Sequence, residues 1–342
     1  MRKKTKGVVT QRYIKKYTGE DGRLTISKSE LARIIFQEEH GLFGSLNAAR
    51  LSIRTYTGAN GEPRREALKR LENIDPQIFT IKEGFIKRGL VQEASTLAKP
   101  VKLPEGKYLV LSDIHIPYQD TVALAAAVHY GVTEKVTGIV LNGDIVDCYY
   151  TSRYTKDTNR PSMKEEFKRA KAFFSYLREL FPTQPIWYKY GNHEERFREY
   201  ILSKSREIEN LDALTLEAQL SLKEFNIKPV GREIIQAGKL SILHGHEFGK
   251  SMMAPVNPAR GGFIRAKSSV LFGHHHQTSE HSESNLKGEQ TAAYSTGALC
   301  DLSPEYLPYG YTKWNHGAAI VTVAKNGMFK VRNFRIIEGE VY

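Results

Sequence analysis

The sequence predicts an α/β fold with two β-sheets, preceded by a small all-α, helix-turn-helix-like domain. Three observations carry that expectation. After residue 107 short apolar runs alternate with helical patterns; further on, apolar runs follow one another with few helices between; and a basic stretch of amphipathic helices precedes both. The 342 residues, 40% of them hydrophobic, can bury a full core, and the length suits one large domain with an appendage. The expected divisions are a basic helical domain over 1–92, a linker over 93–106 containing Pro100 and Pro104, and a main domain over 107–342.

The first six residues read as a disordered basic edge. Ser27 and Glu30 make a capping-box pattern that opens a helix through Leu31, Ile34 and Ile35. Gly41 and Gly44 break it, and a second helix follows over 45–56, with Gly58 placed to stop it. Leu46, Ala49 and Ile53 line one face of this helix, while Asn47, Arg50 and Arg54 line another. A third helix is expected over 64–71. Arg and Asn spaced along one helix can read base edges in a DNA major groove, so Asn47, Arg50 and Arg54 are candidate nucleic-acid contacts. The competing reading is a helical cap that packs on the main domain or mediates assembly.

In the main domain, 108–111, 138–141 and 185–188 read as buried strands, with helices over 121–132 and 163–180 between them. Strands over 239–243, 269–272, 291–295, 318–323 and 329–334 read as a second sheet, largely strand after strand.

Charge separates the two parts. Lys and Arg number 50 against 38 Asp and Glu, giving +12; before Pro100 stand 20 of the former and 11 of the latter, so that part carries +9 and the remainder +3. Such a distribution fits a polyanion such as DNA or RNA, or equally a solvated surface. No run reaches the roughly 18 apolar residues of a membrane span, and the N-terminus lacks the apolar stretch of a secretory signal. The expectation is a cytoplasmic protein with no membrane partner. Its two cysteines, Cys148 and Cys300, make neither a disulfide framework nor a Cys-x-x-Cys metal site, which leaves His and carboxylates to hold any metal.

Polar residues gather where the strands end. The runs are Ser112-Asp113-Ile114-His115, Asn142-Gly143-Asp144-Ile145-Val146-Asp147, Gly191-Asn192-His193-Glu194, Leu243-His244-Gly245-His246 and Phe272-Gly273-His274-His275-His276. Singly, each is an ordinary turn or cap. Together they bring Asp, Asn and His, ligands for Mn²⁺, Fe or Zn²⁺, to the edge where α/β proteins bind ligands.

In this order the blocks Asp-x-His, Gly-Asp-x-x-Asp, Gly-Asn-His-Glu, His-Gly-His and Gly-His-x-His resemble the signature of the calcineurin-like metallophosphoesterases over residues 108–334. The resemblance implies a four-layer α/β/β/α sandwich and two divalent cations, Mn first, with Fe, Zn or Ni as alternatives. It implies that Asp113, His115 and His276 bind one cation, Asn192, His244 and His274 the other, and that Asp144 bridges them. His193 would serve as general acid or charge stabiliser and Asp147 would orient it, with a hydroxide held between the cations attacking phosphorus in line. His246 and His275 have no required place in the pattern; His246 is kept as a candidate substrate contact.

The match departs at Cys148, where related Ser/Thr protein phosphatases carry a phosphate-gripping Arg. Arg153 and Arg196 are the candidates to replace it, with Lys156, Arg160 and Arg198 nearby. Tyr149, Tyr150 and Tyr154 interleave with these cations, a pattern that stacks unpaired bases. The reading is a phosphodiesterase or nuclease acting on nucleic acid. Its rivals are a phosphatase or phosphodiesterase of a small molecule, nucleotide or phosphoprotein, and a catalytically inert DNA-binding protein. The oligomeric state is not legible.

Overall fold

The first helix begins inside the stretch read as a disordered edge. Thr5 accepts a hydrogen bond from the backbone N–H of Val8 and caps α1 (Lys6–Lys16). This helix was not expected, because only Val9, Thr10 and Tyr13 of its eleven residues are buried, too thin an apolar stripe to stand out among five charged or amide side chains. The computed structural model describes residues 5–19, 24–57, 99–152, 159–208, 211–249, 256–303 and 311–342. The expected helix over 64–71, Gly58 and linker residues 93–98 lie outside them.

The chain divides into two units, Met1–Thr96 and Leu97–Tyr342. In the first, α2 (Lys28–Glu38) starts at Ser27, whose hydroxyl accepts from Glu30 N at 3.1 Å, and α3 (Leu46–Thr57) starts at Ser45, which accepts from Ala48 N at 3.1 Å. Val9, Tyr13, Leu31, Ile35, Phe43, Ala49 and Ile53 form their shared core. Arg12 pairs with Glu39 at 2.8 Å, and Tyr13 donates to Glu38 at 2.5 Å.

The second unit contains two sheets. Its elements are β1 (Val101–Leu103), β2 (Gly106–Leu111), α4 (Thr121–Thr133), β3 (Gly138–Asn142), α5 (Met163–Leu180), β4 (Ile186–Lys189), α6 (Asn192–Lys204), α7 (Leu216–Gln219), β5 (Ile227–Gly231), β6 (Ile235–Ala237), β7 (Leu240–Ile242), α8 (Pro258–Ala266), β8 (Val270–Phe272), β9 (Ser279–Ser284), β10 (Gln290–Ser295), β11 (His316–Val323), β12 (Phe329–Ile337) and β13 (Glu340–Val341). One sheet runs β13-β12-β11-β2-β3-β4-β5, with β2 to β5 parallel; the other runs β1-β6-β7-β8-β10-β9. Residues 101–103, within the segment read as linker, form β1 and pair parallel with β6.

Alternation along the strands builds the layers. Tyr108, Val110, Val140 and Trp187 face the second sheet and pack with Ile235, Ile242 and Leu271. Leu109, Leu111, Ile139, Leu141 and Tyr188 face outward beneath Ala127 of α4 and Phe174 and Leu177 of α5. Beyond the second sheet, Ala259 and Phe263 of α8 cover Val270 and Phe272. This is the helix–sheet–sheet–helix order expected.

Two strands belong elsewhere than the sequence reading put them. β11 and β12, read as part of the second sheet, extend the first: β11 lies antiparallel to β2, with Val110 opposite Ala319. The reason is burial. Ala319, Val321 and Val323 complete the apolar layer between the sheets, and β2 would otherwise be an unpaired edge.

Candidate metal centre

The parallel half of the first sheet aims three loops at one place, and the loops after β7 and β8 meet them there. Asp113, immediately after β2, is fully buried; its carboxylate accepts from Ser112 Oγ at 2.6 Å and from His274 N at 2.9 and 3.1 Å, and its Oδ1 lies 3.2 Å from His276 Nε2. Asp144, after β3, accepts from His193 N at 2.9 Å through Oδ1. Its Oδ2 is the hub of three imidazoles, 3.2 Å from His244 Nε2 and 3.8 Å from both His115 Nε2 and His193 Nε2.

Hydrogen bonds on the far side of each ring set which nitrogen faces the hub. His115 Nδ1 lies 2.9 Å from Asp147 Oδ1, and His244 Nδ1 lies 2.8 Å from the Asn142 carbonyl. Oxygen partners require those nitrogens to donate, so in the neutral ring, the form that a cation binds, the lone pair lies on Nε2. The Nε2 of His115 faces that of His276 at 3.3 Å. The Nε2 of His244 and the Oδ1 of Asn192 are buried without a hydrogen-bond partner among the described residues. Acceptors left so are costly in a protein interior, and a cation is what these lone pairs fit. Ligating atoms come together in the groups Asp144–His244–His274, His115–Asp144–His193 and His115–His276–Cys300.

The backbone is bent to the purpose. Asp113, His115, Asp144, His274 and His276 all have φ between 51° and 68°, a region that side chains other than glycine seldom adopt and that concentrates at functional sites. Gly191 and Gly273 are glycines because a Cβ would land on the carboxylates of Asp144 and Asp113, respectively.

The model of the calcineurin-like phosphoesterase family matches residues 106–297, more than half of the chain. The chain belongs to that family. It is a metal-dependent phosphoester hydrolase, and its family works with two metal ions. It is similar to the Gene 54 protein of Mycobacterium phage L5, 25% identical over 232 residues covering 64% of this chain and 89% of that protein. Among solved structures, Vacuolar Protein Sorting 29 from Cryptosporidium parvum aligns with 70% of this chain and 95% of its own at 12% identity and a TM-score of 0.38. A dimetal phosphatase from Danio rerio aligns with 68% and 96% at 10% identity and a TM-score of 0.31.

In this phosphoesterase the charge balance follows from the crowding. Burial pushes the Asp113 and Asp144 carboxyls up, but the neighbouring histidines, His276 and His244 beside Asp113 and His193 and His244 beside Asp144, bring both far below the usual range. Burial alone would lower His244; Asp144 and Asp113 instead raise it to about 10. Burial and the nearby His244 lower His274 to about 3. The two carboxylates thus hold enough negative charge to draw protons onto an imidazole, the same charge a dication neutralises.

The remaining predicted residues fall as follows. His193 Nδ1 has the Asp147 carbonyl at 2.7 Å and Asp147 Oδ1 at 3.1 Å, and Asp147 holds His115 with the same oxygen. The sequence reading set His193 apart from the ligands; its Nε2 nevertheless lies 3.8 Å from Asp144 Oδ2, and His115, Asp144 and His193 form a group that could share a cation. Arg196 Nη1 lies 3.0 Å from His193 Nδ1, which places this guanidinium at the centre's edge. His246 turns to two carboxylates, with Nε2 3.3 Å from Glu195 and Nδ1 3.5 Å from Glu247. Arg153 lies outside the described residues. Asn47, Arg50 and Arg54 stand on the exposed side of α3 in the other unit.

Several supporting residues escaped the sequence reading. Glu194 steadies more than its own loop: its carboxylate accepts from the backbone of Gly191, Asp144, Ile145 and Val146 and from Tyr188 Oη. Glu166 accepts from Cys148 N at 2.6 Å. Cys300 Sγ is 3.9 Å from His276 Nδ1, and Trp314 packs on the same imidazole with ring centres 4.3 Å apart. Lys189, a charge ending an otherwise apolar strand, and Glu247, directly after His246, were the available signals of a further pair described below. No helix among the described residues is long and apolar enough to cross a membrane.

Proposed function

We propose that the phosphoesterase is a phosphodiesterase or nuclease acting on nucleic acid. The observation that carries this reading is the charge division of the first unit. Its acids at the end of α2 are tied to α1, through Arg12–Glu39 and Tyr13–Glu38, while α3 contains no acid and exposes Asn47, Arg50, Leu51 and Arg54 along one face. Basic and amide side chains beside an apolar one suit phosphates, base edges and a thymine methyl. A domain of this kind, residues 1–92, raises the local concentration of a polyanion for the hydrolytic domain, residues 107–342.

Within the site, Asp113, His115 and His276 would hold one cation and Asn192, His244 and His274 the other, with Asp144 shared. Bound there, divalent cations supply Lewis acidity and a nucleophile active at neutral pH; Mn²⁺ suits this mixture of carboxylate, amide and imidazole. The residues themselves do the rest. Asp147 holds His193 by Nδ1, so the opposite nitrogen can give a proton to the leaving alkoxide. Arg196, with Arg153, supplies cationic contacts for phosphate, and His246 is a substrate contact paired with Glu195.

The test is hydrolysis, with Mn²⁺, of single- and double-stranded DNA, bis(p-nitrophenyl) phosphate and p-nitrophenyl phosphate, beside the Asp144→Ala and His193→Ala proteins. Cleavage of DNA and diester, lost in both variants, is the expected result. Monoester hydrolysis without DNA cleavage would make the chain a phosphatase. DNA binding with no hydrolysis under any divalent metal would make it an inert binder.

A further inference from the structure

Lys189 ends β4, a strand whose other three residues are Ile186, Trp187 and Tyr188, and its side chain is fully withdrawn from solvent. An ammonium in that position must be paired and hydrogen-bonded. Three acceptors surround it: the Glu247 carboxylate at 2.8 Å and the carbonyls of Arg232 and Glu233 at 3.3 and 3.1 Å. Glu247 turns both its oxygens to the backbone of the neighbouring loop, Oε1 accepting from His244 N at 3.2 Å and Oε2 from Gly245 N at 2.7 Å. Gly245 has φ +126°, open only to glycine, so the turn that presents His244 is one whose N–H groups need a fixed acceptor.

The path is therefore continuous. Asn192 follows Lys189 by three residues on the β4 loop; Lys189 grips Glu247; Glu247 grips the backbone of His244. A buried ion pair is commonly no more stabilising than apolar residues of equal volume, so stability does not account for a lysine in this strand. What the pair adds is direction, since it fixes where the Glu247 oxygens point.

We propose that Lys189 and Glu247 are positioning residues that set the separation of Asn192 and His244, and so tune the binding of one cation of the pair without touching it or the substrate. The proposal rests on the assignment of Asn192, His244 and His274 to a single cation. Asp113, His115 and His276 make no hydrogen bond or ion pair with either residue among the described residues, so the effect falls mainly on one cation and reaches the other only through His244 and the shared Asp144. Loss of overall stability would weaken both cations alike, and one-sidedness is the signature that separates positioning from general support.

The experiment is calorimetric titration of the full chain, first stripped by a chelator, with Mn²⁺, for the wild type and the Lys189→Met, Glu247→Gln and His244→Ala proteins. Glu247 is partly exposed and its glutamine keeps the volume, so that variant carries the test if Lys189→Met does not fold. The wild type is expected to bind two Mn²⁺ and His244→Ala to lose one site. Lys189→Met and Glu247→Gln are expected to weaken one site by about 10- to 100-fold, as outer partners of metal ligands do, and the other site by clearly less. Equal weakening of both sites, or none in either variant, overturns the proposal. Two sites of undiminished affinity in His244→Ala would instead overturn the ligand assignment and the proposal with it.

Discussion

The two units use polar residues in opposite ways. In the phosphoesterase unit almost every polar side chain of the centre is held by another: Asp147 steadies two imidazoles, and Glu194 gathers five donors. In the helical unit Asn47, Arg50 and Arg54 of α3 are exposed, and no ion pair among the described residues holds Arg50 or Arg54. The difference fits the two tasks proposed above. Chemistry at one phosphorus needs atoms fixed to within a fraction of an ångström, whereas attraction of a polyanion needs charge that remains free to adapt.

The sharpest way to break this comparison is at the hub. Asp144→Ala removes the oxygen that three imidazoles share, and we expect hydrolysis to fall below detection and bound Mn²⁺ to fall from two ions, as measured by elemental analysis of the purified protein. His193→Ala should leave the metal content intact and lower kcat by about 10²- to 10⁴-fold, the usual contribution of a positioned proton donor; loss of metal in this variant would make His193 a ligand. The outward-facing side responds more gently. Arg50→Ala combined with Arg54→Ala should reduce the dependence of log affinity for DNA on log salt by about 2, since each phosphate no longer neutralised lowers the slope by roughly 0.9, with hydrolysis of bis(p-nitrophenyl) phosphate unchanged.

The smallest effect concerns Glu166, which is buried at Cys148 N. Burial, reinforced by Asp147, lifts its carboxyl from 4.5 to about 8 despite the Cys148 hydrogen bond. A folded-state value above the unfolded one means the protonated acid favours folding; its contribution is complete below about 4.5 and is lost as pH rises through about 8. Glu166→Gln should therefore flatten the stability curve across that window, where the wild type loses at most about 1.4 kcal/mol per pH unit. An equal change in unfolding free energy between pH 5 and pH 8 for the wild type and Glu166→Gln, measured by urea denaturation, would show that this carboxyl stays ionised.

What was legible in the sequence was local. Helix α5 was read with both ends in place because Ser162 caps it and its apolar residues keep one face over eighteen positions. The ligand blocks were legible because each is a short run after an apolar strand. Pairings between distant segments were not. Nothing near β11 says that it lies beside β2 and not in the second sheet, and nothing near Lys189 says that its charge is met by Glu247. Such facts belong to the assembled interior, where partners far apart in the chain are decided by burial.

The placement of β11 also bears on how the chain is made. The parallel strands β2, β3 and β4 and three of the five ligand loops are synthesised first, yet the strand that covers the open edge of β2 spans residues 316–323 and follows all five ligand loops in the chain. Until then the nascent sheet exposes an apolar, unpaired margin, and a topology with such distant pairing folds slowly. A chain interrupted before β11 is therefore expected to be more prone to aggregation, because that margin stays uncovered.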